Sequence, residues 1–163
     1  MPVSELPPVY DANSRILILG SYPSVRSRAA GFYYANPHNR FWRVMSTLFD
    51  VDMTDVTAER KTEILLSLRI AISDVVYSCN IDASADSTIR DVTASDIPSI
   101  IACGKISRIF LNGKTAYNLF CRYFPAFSDM AVCLPSTSPA NAAKSFDDLL
   151  SEWRVVYDTL NSL

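Results

Sequence analysis

Four short apolar segments, each closed by a turn or a polar loop, constrain the fold of this 163-residue chain more than any other feature. Such continuous apolar runs are typical of strands that are buried on both faces of a sheet. Helical patterns separate the runs, and alternating strands and helices form a parallel sheet covered on both sides. The predicted strands are residues 15–19, 70–77, 108–111 and 131–134. The sequence therefore predicts an α/β fold: a three-layer α/β/α sandwich around a central four-stranded parallel sheet.

Caps and apolar spacing place the helices. Apolar residues from Phe41 to Phe49 predict a first helix that begins at Asn39 and ends near Asp50. A second helix is predicted to begin at Thr54 or Thr57. A third is predicted to run from Ser95 or Asp96 to Gly104, with Pro98 in its first turn. The last two are predicted to span residues 114–123 and 142–160. Residues 1–14 are predicted to form an irregular lead-in, and the polar residues 78–94 a long loop.

Length and composition favour one domain over residues 1–163, with enough apolar residues (49%) for a sizeable core. No apolar run approaches the roughly 20 residues that span a membrane, and the N-terminus lacks a secretory pattern. The four cysteines show no CxxC pairing, which favours buried, reduced thiols in a cytoplasmic protein over a metal site. No glycine-rich phosphate loop occurs. We therefore expect a cytoplasmic monomer with neither metal nor cofactor.

Charge is distributed unevenly along the chain. The net charge is −2, which argues mildly against a nucleic-acid ligand, but a local patch sets affinity for phosphates. Residues 12–49 contain no Asp or Glu, and they include Arg26, Arg28, Arg40 and Arg43. This asymmetry suits a polyanion such as DNA; the alternative is a surface with ordinary, scattered arginines.

The polar residues before the first predicted helix have ordinary structural roles available to them. His38 is the sole histidine, and a Ser-His-Asp triad would need an acid such as Asp74 or Asp86 from far away in the sequence. A histidine in a polar loop is more often a surface or hydrogen-bonding residue than a general base. Asn39 stands at a helix start, where Asn is a good cap.

Two segments carry a resemblance to a known family. GSYPS at residues 20–24, followed by YYANPHNRFW at 33–42, resembles the first motif of the uracil-DNA glycosylase superfamily, and LPSTSPAN at 134–141 resembles the second. The pair most resembles the hypoxanthine-DNA (deoxyinosine) glycosylase branch, with mismatch-specific uracil glycosylases as near relatives. The resemblance covers nearly the whole chain and implies the fold already predicted.

The resemblance implies roles for the first motif. In the mismatch-specific relatives the active amide lies two residues after the opening glycine, where this chain has Tyr22. In the deoxyinosine branch the essential Asn matches Asn39, which would orient water through its carbonyl oxygen. Tyr34 matches the aromatic residue on which the flipped base stacks; the alternative is a core aromatic. The residues implied to bind the base are Gly20, Ser21, Tyr22, Pro23, Ser24, Tyr34 and Asp74.

Asp74 and the second motif complete the implied site. The predicted second strand brings Asp74 to the same sheet edge, although the branch is expected to carry Trp where this chain has Ser73. Asp74 has an alternative role as a buried acid that pins loop amides. The second motif would press into DNA at the flipped nucleotide; the alternative is a turn that caps the last helix. The residues implied to hold DNA are Ser27, Arg40, Ser136, Thr137, Ser138, Pro139 and Asn141.

The implied activity is hydrolysis of the bond between deoxyribose and a deaminated base, hypoxanthine first and uracil second, flipped out of DNA. No lysine is singled out as a Schiff-base nucleophile, so a monofunctional enzyme is expected. One alternative is a catalytically silent module of the same fold that binds DNA or nucleotides. Another is a small α/β hydrolase acting on free nucleosides or esters, although no GxSxG nucleophile elbow occurs.

Overall fold

The computed structural model describes residues 6–22, 25–80 and 90–163 of the chain. The strands are β1 (Ile16–Gly20), β2 (Ile70–Asp74), β3 (Val76–Asn80), β4 (Arg90–Ala94), β5 (Arg108–Asn112) and β6 (Ala131–Leu134). The helices are α1 (Val25–Ala30), α2 (Phe41–Phe49), α3 (Ala58–Ser67), α4 (Ile97–Cys103), α5 (Lys114–Tyr123) and α6 (Phe146–Asn161), with a 3-10 segment at Pro125–Met130.

A four-stranded, all-parallel sheet in the order β2-β1-β5-β6 forms the centre of the fold, as the sequence predicts. The chain leaves β1 toward β2 on one side and later returns to β5 on the other side. The order of strands therefore reverses beside β1. In open α/β sheets, the carboxyl ends of the strands at such a reversal border the crevice where ligands bind.

Alternation along β1 divides the core between the two faces of the sheet. Ile16 and Ile18 belong to the cluster that packs under α2, α3 and α6, and all three helices contribute buried side chains to it. Leu17 and Leu19 belong to the opposite cluster, under α4 and α5. Successive side chains of a strand point to opposite faces. All four side chains are completely buried, because helices cover both faces of the sheet. The structure thus confirms the predicted three layers.

The helix ends show which local signals were informative. Thr57 caps α3 by accepting the N–H of Arg60, and Asp96 caps α4 by accepting the N–H of Ser99. Asp50 follows α2, also as predicted. The predicted start of the last helix at residue 142 is wrong. Instead, Ser145 and Asp148 form a capping box at the start of α6, each accepting the backbone N–H of the other.

Two other predictions differ from the structure. The predicted strand 70–77 is two strands, because the chain leaves the parallel sheet after Asp74 and β3 pairs antiparallel with β4. The predicted loop 78–94 therefore contains strand at both ends, while residues 81–89 lie outside the described ranges. The loop after β1 also contains the six-residue helix α1. Its sequence has no apolar periodicity from which a helix could be predicted.

The lead-in segment covers the outer edge of β2. Val9 and Ile72 exchange two backbone hydrogen bonds of 2.9 Å as an antiparallel bridge. Tyr33, from the loop before α2, donates its hydroxyl to the carbonyl of Pro7 at 2.9 Å. The backbone groups of an edge strand are thereby partly paired within the chain.

The exposure of three cysteines corrects the prediction of buried thiols for these three residues. Cys103 and Cys133 are exposed, and Cys121 is half-buried; all three are free. Within the described ranges, the helices are too short or too polar to cross a lipid bilayer. Those same ranges hold no cluster of three or more His, Cys, Asp or Glu side chains that could bind a metal ion.

The capping box gives a prediction about stability. Ser145→Ala removes the side-chain acceptor for the N–H of Asp148, and we expect the free energy of unfolding to fall by about 1 kcal/mol. Urea unfolding measures this change. Ser151→Ala, an exposed position within the same helix, is the matched control and should change the free energy by less than about 0.5 kcal/mol. Equal effects of the two substitutions would contradict the capping role.

Candidate active site

Polar side chains gather where the parallel strands end. Asp74 ends β2 and Asn112 ends β5, while Thr137 follows β6 by three residues. Gly20 of β1 lies opposite Asp74 in the strand register, and Asn112 lies opposite Leu134. Since carboxyl ends of parallel strands meet at one edge, residues far apart in sequence form one polar cluster there.

Asn39 is fixed by its carbonyl oxygen. Oδ1 accepts the N–H of Phe41, the first residue of α2, at 2.9 Å, and the hydroxyl of Thr137 at 2.8 Å. The expected structural role at the helix start is therefore present. However, a carbonyl oxygen has two lone pairs, and both are used here. Protein donors occupy both positions in this conformation, and the expected role of this oxygen in orienting water stays a prediction.

Thr137 connects Asn39 to the central strand β5. Its side chain is completely buried, and its Oγ1 lies 3.0 Å from Nδ2 of Asn112, which donates to it. The backbone N–H of Thr137 donates to Oδ1 of Asn112, also at 3.0 Å. Both the nitrogen and the oxygen of the Asn112 side-chain amide are thus hydrogen-bonded to Thr137. The arrangement ties the two motifs to the end of β5.

Tyr34 packs against the core on one side. Its ring stacks on Phe41 with centroids 4.1 Å apart and planes 21° apart. The backbone of Tyr34 is left-handed, with φ of 52°, a conformation that costs a non-glycine residue about 1–2 kcal/mol. Burial raises the pKa of its hydroxyl well above the ordinary range, and the nearby Asp74 carboxylate raises this pKa further.

Gly20 allows Asp74 and Tyr34 to approach the end of β1 closely. A Cβ atom at Gly20 would lie 2.6 Å from Oδ1 of Asp74 and 3.1 Å from the Tyr34 hydroxyl. Contacts shorter than 3.0 Å essentially never occur for real Cβ atoms. The absence of a side chain at this position is therefore what brings the carboxyl and hydroxyl groups together.

Arg40 joins the first motif to the second. Its Nη1 donates to the carbonyl of Lys144 at 2.6 Å, and its Nη2 donates to the carbonyl of Asn141 at 3.0 Å. Its backbone N–H also donates to the carbonyl of Thr137 at 3.1 Å. These bonds make Arg40 a clamp on the loop after β6. In this conformation the two Nη atoms donate hydrogen bonds to backbone carbonyls of the protein, whereas Arg40 was expected to contact DNA.

Comparisons with known proteins show the family of this chain. The family model for the uracil DNA glycosylase superfamily matches residues 7–157. The chain belongs to the uracil DNA glycosylase superfamily. It is 35% identical over 155 residues to a hypoxanthine DNA glycosylase of Methanosarcina acetivorans, across 93% of this chain and 95% of that protein.

Two further similarities lie in the same genus. The chain is 34% identical over 85 residues to a hypoxanthine DNA glycosylase of Methanosarcina barkeri, across 52% of this chain and 54% of that protein. It also superposes on the solution NMR structure of a candidate uracil DNA glycosylase from Methanosarcina acetivorans with a TM-score of 0.82. That match has 33% identity and covers 98% of this chain and 99% of the other.

The second superfamily motif forms a compact turn rather than a helix cap. Oγ of Ser136 accepts the N–H of Ser138, and Nδ2 of Asn141 donates to the carbonyl of Ser136. Pro139 is exposed at the tip of this loop. Since Ser145 caps α6, the alternative that this motif caps the last helix is wrong.

Several residues expected to contact DNA or base are interior. Ser27 is 2% exposed, and its hydroxyl accepts the N–H of Ala35, while Thr137 is fully buried. Both hydroxyls form hydrogen bonds within the protein in this conformation, and the DNA contacts expected of the two residues stay predictions. Tyr22 is buried beside the guanidinium of Arg28. The carbonyl of Ser21 accepts the N–H of Val76, and Pro23 and Ser24 lie outside the described ranges.

Asn112 is a residue of the polar cluster that was not among the predicted site residues. The available signal was its position: a polar amide directly after the apolar run of a central strand. His38 is exposed and lies outside the polar cluster's hydrogen bonds, as expected of a surface residue. Arg26 and Arg43 of the acid-free stretch are also exposed.

The close approach at Gly20 is testable. Gly20→Ala adds a methyl group against Asp74 and Tyr34, and we expect the free energy of unfolding to fall by about 1–3 kcal/mol. In a Tyr34→Phe background one of the two close contacts is gone, so the same substitution should cost less. A double-mutant cycle by urea unfolding measures the coupling. Additive effects would show that the methyl group does not meet the hydroxyl.

The buried hydroxyl groups of two tyrosines also imply a pH dependence. Burial raises the pKa of Tyr34 and of Tyr33 above the ordinary value of about 10. Above pH 10 the unfolded chain releases these protons while the folded chain keeps them, so stability should fall as pH rises. Urea unfolding at several alkaline pH values should show a shallower fall for Tyr34→Phe than for the wild type. Parallel curves would contradict the shifted pKa.

Proposed function

We propose that this protein is a DNA glycosylase that removes a deaminated base, hypoxanthine in preference to uracil, after the base has been flipped out of DNA. Membership of the superfamily and the names of the two Methanosarcina relatives support a glycosylase role. The observation that carries the proposal is the fixed amide of Asn39. It stands at the carboxyl edge of the sheet, where hydrogen bonds through Thr137 connect it to Asn112 at the end of β5.

The proposed reaction is a hydrolysis. The bond between C1′ of deoxyribose and the base nitrogen breaks, and its electron pair leaves with the base. Water adds to C1′, one of its protons is lost, and the base anion gains a proton. The products are the free base and an abasic site. Because the sugar becomes cationic while the base becomes anionic, groups that stabilise either charge lower the barrier.

Deaminated bases offer a distinctive edge to such a site. Hypoxanthine carries a hydrogen on N1 and uracil carries one on N3, whereas adenine and cytosine have acceptors at these positions. The buried carboxyl group of Asp74 supplies an acceptor for that N–H in the proposed complex. The face of Tyr34 opposite to Phe41 provides the stacking surface for the flipped base.

The loop after β6 is proposed to press against the DNA strand. Pro139 and Ala140 form its exposed tip, and hydrogen bonds from Asn141 and Arg40 hold its base. A wedge that enters a duplex must be rigid enough to hold the bases apart. We expect binding to weaken with salt, because contacts to phosphates release counterions.

The glycosylase is proposed to be monofunctional, monomeric and cytoplasmic. Lys144, the lysine nearest in sequence to the second motif, pairs with Glu152 at 2.8 Å, which leaves its ammonium group engaged on the helix α6. Strand cleavage would need an amine that attacks C1′. The remaining alternative is a module of the same fold that binds DNA without catalysis.

The proposal predicts base release that depends on Asn39. We would incubate wild type, Asn39→Ala and Asn118→Ala with duplexes that carry one deoxyinosine or one deoxyuridine, and then cleave abasic sites with alkali. Wild type and Asn118→Ala, which changes an exposed amide on α5, should release hypoxanthine faster than uracil. Asn39→Ala should lose at least about 100-fold in single-turnover rate, as expected when a group that acts in the transition state is removed.

The same assay separates the alternatives. Duplex binding without base release by folded wild-type protein would support the binding module and contradict the glycosylase. Release that Asn39→Ala leaves unchanged would place the catalytic group elsewhere. Breaks in the strand before alkali treatment would contradict the monofunctional assignment.

A further inference from the structure

We infer that Asn112 and Thr137 are positioning residues that hold the Asn39 amide with its nitrogen free, so that Asn39 serves the reaction as a hydrogen-bond donor. This inference rests on the proposed function for its chemical consequence. The hydrogen-bonded arrangement itself stands on the structure alone.

The orientation of the Asn39 amide follows from the groups around it. A backbone N–H can only donate, so the Asn39 atom that faces the N–H of Phe41 at 2.9 Å must be the oxygen. With the amide turned over, two donors would face each other. The nitrogen therefore points away from α2, and its two hydrogens have no protein acceptor within the described ranges.

Thr137 reinforces this orientation because its hydroxyl has a single hydrogen. The backbone N–H of Thr137 donates to Oδ1 of Asn112, which fixes the Asn112 amide and turns its nitrogen toward the Thr137 hydroxyl. The hydroxyl oxygen accepts from that nitrogen, so its own hydrogen is free to donate to Asn39. Each donor in the chain from β5 to Asn39 thus determines the direction of the next one.

In this orientation the side-chain nitrogen of Asn39 can donate a hydrogen bond to the negative charge that develops on the departing base. When the glycosidic bond breaks, the base leaves as an anion whose charge spreads over ring nitrogens and a carbonyl oxygen. A fixed N–H donor stabilises that anion more than the neutral base, and this lowers the barrier. Asn39 is accordingly assigned to the departing base rather than to the attacking water.

Asn39→Asp tests this assignment directly. The carboxylate can still accept from Phe41 and Thr137, but it replaces the free donor with an acceptor. We expect single-turnover release of hypoxanthine by Asn39→Asp to be as slow as by Asn39→Ala. Rates near those of the wild type would overturn the donor role, because an acceptor at this position serves water rather than the base.

Thr137 provides the matched pair of variants. Thr137→Val keeps the shape and removes the hydroxyl, and it should slow base release by about 10- to 100-fold without a matching change in duplex Kd. Thr137→Ser keeps the hydroxyl and should retain most of the rate. Asn112→Asp, which exchanges the donor for an acceptor and attracts the Thr137 hydrogen, should resemble Thr137→Val. Equal rates for Val and Ser would overturn the positioning role.

Unfolding supplies a readout that needs no activity. Asn39→Ala and Thr137→Val break the same hydrogen bond, so the urea midpoint of the double variant should fall by less than the sum of the single shifts. Additive shifts would overturn the arrangement whatever the activity. If the wild type releases no base from either duplex, the proposed function fails, while this cycle still accepts or rejects the hydrogen-bonded chain. If Thr137→Val does not fold, Asn39→Asp and Asn112→Asp decide.

Discussion

The parallel pairing of β1 between β2 and β5 is the constraint on which the rest of the molecule depends. It places the ends of three strands side by side, so that Asp74, Gly20 and Asn112 stand together at one edge of the sheet. The apolar residues of β1, β2 and β5 are buried, and the polar cluster lies where these strands end. The sheet therefore supplies the positions, and the residues that follow the strands supply the functional groups.

Two kinds of contact hold the superfamily motifs together across about a hundred residues of sequence. Arg40 clamps the loop after β6 through backbone carbonyls, while Thr137 connects that loop to Asn39 and Asn112 through buried hydrogen bonds. Trp153 of α6 separately anchors the second motif by donating its indole N–H to the carbonyl of Pro135. Because buried polar groups need partners, these contacts are mutually dependent, and the loss of one leaves others unsatisfied.

The layers and most helices could be predicted from the sequence, because apolar runs and caps are local signals. Ile16 to Leu19 reads as a buried strand without any knowledge of its neighbours, and Thr57 and Asp96 mark helix starts by their own side chains. The break after Asp74 could not be predicted, since the apolar run continues into β3 and only the partner strand changes.

The site shows the same division between local and long-range information. Asn39 and Tyr34 could be singled out by resemblance, and the roles proposed for them there remain proposals. The occupied oxygen of Asn39 and the burial of Ser27 and Thr137 depend on residues from elsewhere in the chain, so no local pattern indicates them. Asn112 was missed for this reason: its importance comes from Thr137, 25 residues later.

The bridge between Val9 and Ile72 gives the lead-in segment a further consequence. Residues around Val9 have no regular secondary structure and would usually be trimmed to obtain a smaller protein. Here they occupy the hydrogen-bonding groups of an outer strand, which another chain could otherwise use to extend the sheet. Removing them would expose the backbone groups of this edge and take Val9 out of the hydrophobic core, so a shortened version of this protein should be more prone to aggregate.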